Sequence, residues 1–241
     1  PADPGPGDRV PDFDLPTLDG ARFTSRSLGD RPVLLVFGSR TCPVTRSSLP
    51  RIDALLDVYG DRVRFVLVQT REAHPGDVLT QPGTLAAKTA HAAAMREDLG
   101  VRHEVAVDDV DGSLHRALGP KPNSAYVLTP DGTIRARIHW ANDDAALRTA
   151  LEGVLAGRYV ARRSWTVVPL LRAVGHLPAV VERAGRKAGR DVWSAAPPLA
   201  VLARVSRGFT SLPTDRRGPW AAITLAAAVA VVGLGAVLGL G

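Results

Sequence analysis

VLLVFGSRTCPVTRSSLP, residues 33–50, joins an unbroken apolar run to a stretch of helical character, and the chain's single cysteine, Cys42, stands at the junction. Val33 to Phe37 are all apolar, the pattern of a buried strand. Beyond the cysteine, Leu49, Ile52, Leu55, Leu56 and Tyr59 recur at helical spacing, and RFVLVQ at residues 64–69 is a second apolar run. Strand, helix, strand in this order predict a β-α-β unit.

Working outward, residues 84–99 are Ala-rich and read as a helix, and residues 105–107 as a short strand. SAYVLTPDGTIRARIHW, residues 124–140, predicts a hairpin turned at Asp131-Gly132. Residues 143–155 close the unit as a helix. The expected fold is α/β, a central mixed sheet flanked by helices, within a domain at residues 1–157. Its first eleven residues are rich in Pro, Gly and Asp and lack a basic region followed by an apolar one, so no secretory signal is expected. An apolar fraction of 45% supports a sizeable core, and one cysteine excludes an internal disulfide framework, which suits a reducing compartment.

The far end differs in kind. Trp220 to Leu240 run 21 residues without a charge, enough for a helix to cross a hydrocarbon core of about 30 Å. Residues 219–241 are therefore expected to form a single-pass C-terminal transmembrane anchor. Between them and the domain, residues 158–218 are basic and interrupted by prolines. Arg158 to Arg217 hold 12 Lys or Arg against 3 acids, so this segment carries +9 of a chain total of +6 and the remainder −3. A patch this basic directly before a span favours anionic membrane lipids over nucleic acid. Leu199, Leu202, Val205 and Phe209, with Arg204 and Arg207 between them, predict a short basic amphipathic helix lying on the bilayer. The basic flank also places the N-terminal domain in the cytoplasm by the positive-inside rule.

Cys42 supplies the candidate chemistry. Pro43 suits the first turn of a helix, and amides at a helix N-terminus stabilise a thiolate. With Arg40 and Arg46 nearby, the thiol is expected to be accessible, with a pKa below its free value of about 8.5. Such a thiolate attacks a peroxide oxygen, a disulfide sulfur or a halogen. Glu72 and His74 follow the neighbouring strand and would face the same end of the sheet, where a histidine can supply a leaving group's proton. His91, on the next helix, is a weaker candidate. No spacing of His, Cys and acids resembles a metal site, and no Gly-rich loop follows a strand to hold a phosphate, so no metal or cofactor is expected.

The segment around Cys42 resembles the active-site segment of thioredoxin-like redoxins. FGSRTCP with the later REAHPGD is similar to the iodothyronine deiodinase branch, which reads FGS, one residue, T, selenocysteine or cysteine, then P, with an E-A-H triplet further on. The resemblance covers roughly residues 8–157. It implies that Cys42 takes the selenocysteine's place, that Ser39 and Thr41 belong to the catalytic set, and that Glu72 and His74 deliver the proton. It also implies a cis-proline facing the thiol, best placed at Pro122 with Pro120 the other choice, and puts Arg40 and Pro122 beside the substrate. Arg40 replaces the family's auxiliary cysteine, Gln69 replaces a tyrosine, and Thr45 stands where a C-x-x-C motif would place its second cysteine.

The expected function is a membrane-anchored single-cysteine oxidoreductase, a thiol-dependent peroxidase, reductase or dehalogenase resolved by an external thiol reductant. The alternative is a non-catalytic accessory subunit of redoxin fold docked on a membrane protein complex.

Overall fold

Each residue of Val33–Gly38 is buried because this strand, β3, lies at the centre of a five-stranded sheet. Its alternate side chains serve two cores: Leu34 and Val36 face one, while Val33, Leu35 and Phe37 face the other. The computed structural model describes residues 3–119, 123–160 and 167–237, and within α8 (below) the side chains as far as residue 234. Sheet order is β5-β4-β3-β6-β7. β4 (Arg64–Gln69) and β5 (Glu104–Val107) run parallel to β3 on one side. On the other side β6 (Ala125–Leu128) runs antiparallel to β3, and β7 (Ile134–Ile138) antiparallel to β6. The sheet is mixed, and the chain has a thioredoxin-like fold.

The parallel pair requires a crossover, supplied by α1 (Pro43–Tyr59). Its Leu49, Ile52, Leu55 and Tyr59 pack on the sheet together with Ala92 and Met95 of α2 (Leu85–Leu99) and Leu147 and Leu151 of α4 (Asp144–Leu155). Thr84 and Asp143 cap α2 and α4, each accepting a backbone N–H from the first turn. The opposite face is closed by a hairpin of β1 (Asp14–Pro16) and β2 (Arg22–Thr24) and by α3 (Ser113–Ala117). The turn at Asp131-Gly132 forms as expected, with Gly132 at φ +82.

Beyond the sheet domain come four helices, α5 (Val167–Ala184), α6 (Arg186–Ala195), α7 (Pro197–Ser206) and α8 (Thr214–Val237). The prolines shape these helices without keeping the segment extended. Pro169 lies in the first turn of α5, Pro197 and Pro198 open α7, and Pro178 is inside α5. Half of the face expected on a bilayer turns inward instead: Leu199 and Leu202 pack with Val174, Leu177 and Val192, while Val205 and Phe209 remain half-buried outside that cluster. α8 begins before the expected boundary at residue 219, and the stretch Thr214–Leu234 is long and apolar enough to cross a membrane.

The helices sit on the sheet domain through small residues and ion pairs. A Cβ on Gly175 would collide with the carbonyl of Thr214, and one on Gly218 with that of Leu171, so α5 and α8 cross with their backbones in contact. Asp215 of α8 pairs with Arg51 of α1 at 2.7 Å and with His176 of α5 at 2.7 Å. Asn142 donates to Ser47 Oγ at 2.7 Å and to the carbonyl of Pro169 at 2.8 Å, joining α1 to α5.

Candidate functional site

Gly38 ends β3, and a three-residue turn delivers Cys42 to the N-cap of α1, at the carboxyl ends of the parallel strands where open α/β sheets place their ligands. A Cβ on Gly38 would press on Thr45, so glycine here allows the first turn of α1 to close on the strand. The Thr45 hydroxyl accepts from Ser39 N–H at 3.1 Å and from Asn123 Nδ2 at 3.3 Å. The side chain and amide of Thr45, with the amide of Val44, favour the Cys42 thiolate against its burial. Thr45 thus occupies the second-cysteine position with a donor in place of a thiol.

Burial overturns the sequence's view of Cys42. Its side chain is only 2% exposed, clustered with Val44 and Ala173 and covered further by Ala73 and Trp140. Ala173 belongs to α5, so a helix outside the sheet domain closes the thiol from solvent. Burial pushes the Cys42 thiol above its ordinary pKa, the Thr45 and Val44 donors pull it back, and the Glu72 charge adds to the rise. The expected accessible thiol of lowered pKa is corrected on both counts. Arg40 pairs at 3.0 Å with Asp98, which also takes Arg183 of α5 at 3.0 Å. Neither Arg40 nor Arg46 is among the groups that act on the thiol.

The end of β4 brings in the second half of the site. Glu72 is fully buried and accepts from Thr41 N–H at 2.8 Å, Thr41 Oγ1 at 2.7 Å and Gln69 Nε2 at 3.1 Å, with His91 Nδ1 at 3.0 Å. Four partners saturate a carboxylate. Glu72 therefore reaches Cys42 through the Thr41 turn and through its field, without direct contact. Thr41 Oγ1 in turn accepts from His74 N–H at 3.1 Å, and Ser39 Oγ accepts from Ala73 N–H at 3.2 Å, so both residues tie the cysteine turn to the Glu72–His74 loop. The His74 ring is partly buried and held below its ordinary pKa by that burial, with Asp191 of α6 pulling the other way.

Ser39, Thr41, Cys42, Glu72 and His74 are thus brought together at one end of the sheet. Arg40 lies at the rim, engaged by Asp98. Pro122 and Pro120 lie outside the described residues. Sequence reasoning passed over Thr45 and Gln69 as departures and undervalued His91, which ligates Glu72 from α2. It also missed Lys88, a fully buried lysine whose Nζ donates to the carbonyl of Asp109 and whose pKa burial holds below the usual lysine range. Among the described residues no group of His, Cys, Asp and Glu is arranged to hold a metal ion.

The same α5 that covers the thiol also grips the Glu72–His74 loop. Val78 and Leu79 donate their amides to the carbonyl of Ala184 at 2.9 and 3.2 Å, and Asp77 accepts from the Lys187 amide at 2.9 Å.

Residues 5–100 match the family model of iodothyronine deiodinase. A type II iodothyronine deiodinase from Sus scrofa is 36% identical over 69 residues, 28% of this chain and 26% of that protein, so the match spans about a quarter of the curated relative. The crystal structure of peroxidoxin BcpB from Mycobacterium tuberculosis aligns with a TM-score of 0.50 at 20% identity, over 64% of this chain and 98% of that one. A candidate thiol:disulfide interchange protein DsbE from Chlorobium tepidum gives 0.50 at 22% identity, over 62% and 97%. This chain therefore carries a domain of thioredoxin-like fold whose segment 5–100, with Cys42, Glu72 and His74 inside it, is similar to the iodothyronine deiodinases.

Proposed function

We propose that this chain is a membrane-anchored, single-cysteine thiol oxidoreductase with Cys42 as its nucleophile. The observation that carries the reading is the placement of Cys42 at the N-cap of α1, at the carboxyl ends of the parallel strands, on a turn that the buried Glu72 fixes through both the amide and the hydroxyl of Thr41. With a peroxide, the Cys42 thiolate forms a bond to the terminal oxygen, the O–O bond breaks, and the departing alkoxide takes a proton. The sulfenic acid then condenses with one external thiol, releasing water, and a second thiol exchanges to restore Cys42 and release a disulfide. With a disulfide the thiolate forms the mixed disulfide directly and expels a thiolate, so one external thiol restores Cys42; with a halogen it forms a sulfenyl halide while the carbon takes a proton, and the first thiol then releases hydrogen halide in place of water. His74, whose pKa burial holds below its ordinary value, would supply the leaving group's proton after taking one from solvent.

Substrate reaches Cys42 only when α5 moves off it, because Ala173 fills the approach. The helix Thr214–Leu234 would hold the chain in the bilayer, with the basic helices and the sheet domain on its cytoplasmic side. A second reading is favoured by the covered thiol: an accessory subunit in which the redoxin domain and its helices dock on a membrane protein complex.

One experiment separates the two. The full chain in mild detergent is treated with peroxide and a sulfenic-acid trap, then assayed for peroxide turnover with small thiols. Trapped Cys42 and turnover lost in Cys42→Ser support catalysis. A thiol that reacts only after denaturation, together with a serine variant that assembles normally with co-purifying proteins, establishes the accessory role.

A further inference from the structure

A groove of about 940 Å³ opens between α5, α7 and the foot of α8. Three arginines line it, Arg186 at the start of α6, Arg207 at the end of α7 and Arg217 in the first turns of α8, along with the hydroxyls of Thr210 and Thr214. Arg217 is positioned by the carbonyls of Leu212 and Thr210, at 2.9 and 3.0 Å. Arg186 and Arg207 are exposed, and their side chains make no hydrogen bond or salt bridge among the described residues. Arg186 interacts with Asp77 only through its field. Two acids share the groove. Asp77 is committed to the Lys187 amide, and Glu182 is exposed, so the lining remains net positive.

The level of this groove decides what meets it. Arg217 precedes Trp220 by three residues, about 5 Å along a helix, and from Trp220 onward the chain is uncharged. Trp220 and Trp193 are 47% and 49% exposed, as aromatic residues at a bilayer interface are. With Leu199 and Leu202 of α7 already packed inward, lipid has arginines here to meet instead of leucines.

We propose that the groove between α5, α7 and the foot of α8 seats the headgroup of an anionic phospholipid. The phosphodiester meets Arg207 and Arg217, Arg186 adds charge from the far wall, and the Glu182 carboxylate opposes the anion with a like charge. This rests on α8 being the membrane span.

The test reconstitutes the full chain into nanodiscs of phosphatidylcholine with a minor share of phosphatidylglycerol, extracts it into mild detergent, and measures retained lipid by mass spectrometry. Phosphatidylglycerol is expected to be enriched over its share of the bilayer. Arg186→Ala with Arg207→Ala should cut that enrichment about 10- to 30-fold, while Arg31→Ala with Arg62→Ala, two exposed arginines of the sheet domain, should leave it unchanged. If the first pair does not fold, Glu182→Gln serves in its place and is expected to raise the enrichment. Equal retention of both lipids, an arginine pair with no effect, or a Glu182→Gln with no rise overturns the site. Glycerol phosphate that stabilises the detergent-solubilised chain as much as the lipid does would assign the groove to soluble phosphates and overturn it also. A chain that fails to insert into the nanodiscs overturns the anchor reading and the headgroup site together, whereas one that inserts without enrichment overturns the site alone.

Discussion

The sheet domain and the helices α5–α8 are held together by different physics. In the sheet domain, large apolar side chains fill both faces of β3, and the polar groups of the site are buried with several partners each. The helices share one small apolar cluster of their own, α5 and α8 approach through glycine, where Gly175 and Gly218 let backbones touch, and contact with the sheet domain includes exposed or half-exposed ion pairs such as Arg183 with Asp98. Surface pairs of this kind contribute at most about 1 kcal/mol each. The chemistry of Cys42 is thus written into the stable part, and its accessibility into the part more easily displaced.

That contrast breaks most directly at the sulfur. Under the catalytic reading Cys42→Ser should abolish turnover while leaving the melting temperature nearly unchanged, measured by peroxide consumption and circular dichroism on the same sample. Intact folding with undiminished turnover would place the chemistry elsewhere.

The helical side is probed by Gly175→Val, which forces a side chain against the Thr214 carbonyl. Overpacking of this kind costs about 1–3 kcal/mol. Because α5 carries Ala173 over the thiol, alkylation of Cys42 should accelerate up to about 10²-fold, the factor equivalent to about 2.7 kcal/mol of easier opening. Urea unfolding of the sheet domain, followed by near-ultraviolet signals, should move far less. An unchanged alkylation rate would mean that α5 does not gate the thiol.

Within the sheet domain, Thr45→Val removes the hydroxyl donor and keeps the shape. In the wild type the alkylation rate should titrate with a midpoint above the ordinary cysteine value, since burial raises the pKa. In Thr45→Val the midpoint should climb further, by about one unit for a lost hydrogen bond of about 1.4 kcal/mol, and Thr45→Ser should restore it. Glu72→Gln has the opposite and smaller effect on that midpoint. Removing a charge that disfavours the thiolate lowers it, even though turnover falls because the Thr41 turn and His91 lose their shared acceptor. A midpoint that rises in Glu72→Gln would contradict the field effect assigned to this carboxylate.

Legibility follows the same division. The run from Val33 to Phe37, the helical spacing from Leu49 to Tyr59 and the Asp131-Gly132 turn are local patterns, and each became the element it predicted. The β1–β2 hairpin escaped notice because its strands are three residues long and one contains Pro16. Thr45 could be read only as a missing cysteine, since its role depends on donors from Ser39 and from Asn123, which is distant in sequence. The reversal at Cys42 has the same origin. A helix N-terminus is a local signal for a low pKa, whereas burial by Ala173 is imposed by a helix whose apolar face, Ala173, Leu177, Val180 and Ala184, is visible in the sequence without showing what it packs against. The basic, proline-rich segment looked like a surface element for the same reason.

The cover that α5 places over Cys42 also governs how the thiol ages. Over-oxidation to sulfinic and sulfonic acids proceeds through the thiolate and then needs repeated access of oxidant to the same sulfur. A neutral, enclosed sulfur offers neither condition, so its loss at a given oxidant concentration scales with the fraction of time that α5 is lifted. Damage therefore tracks opening, and a sample stored with α5 in place keeps its reducing equivalent.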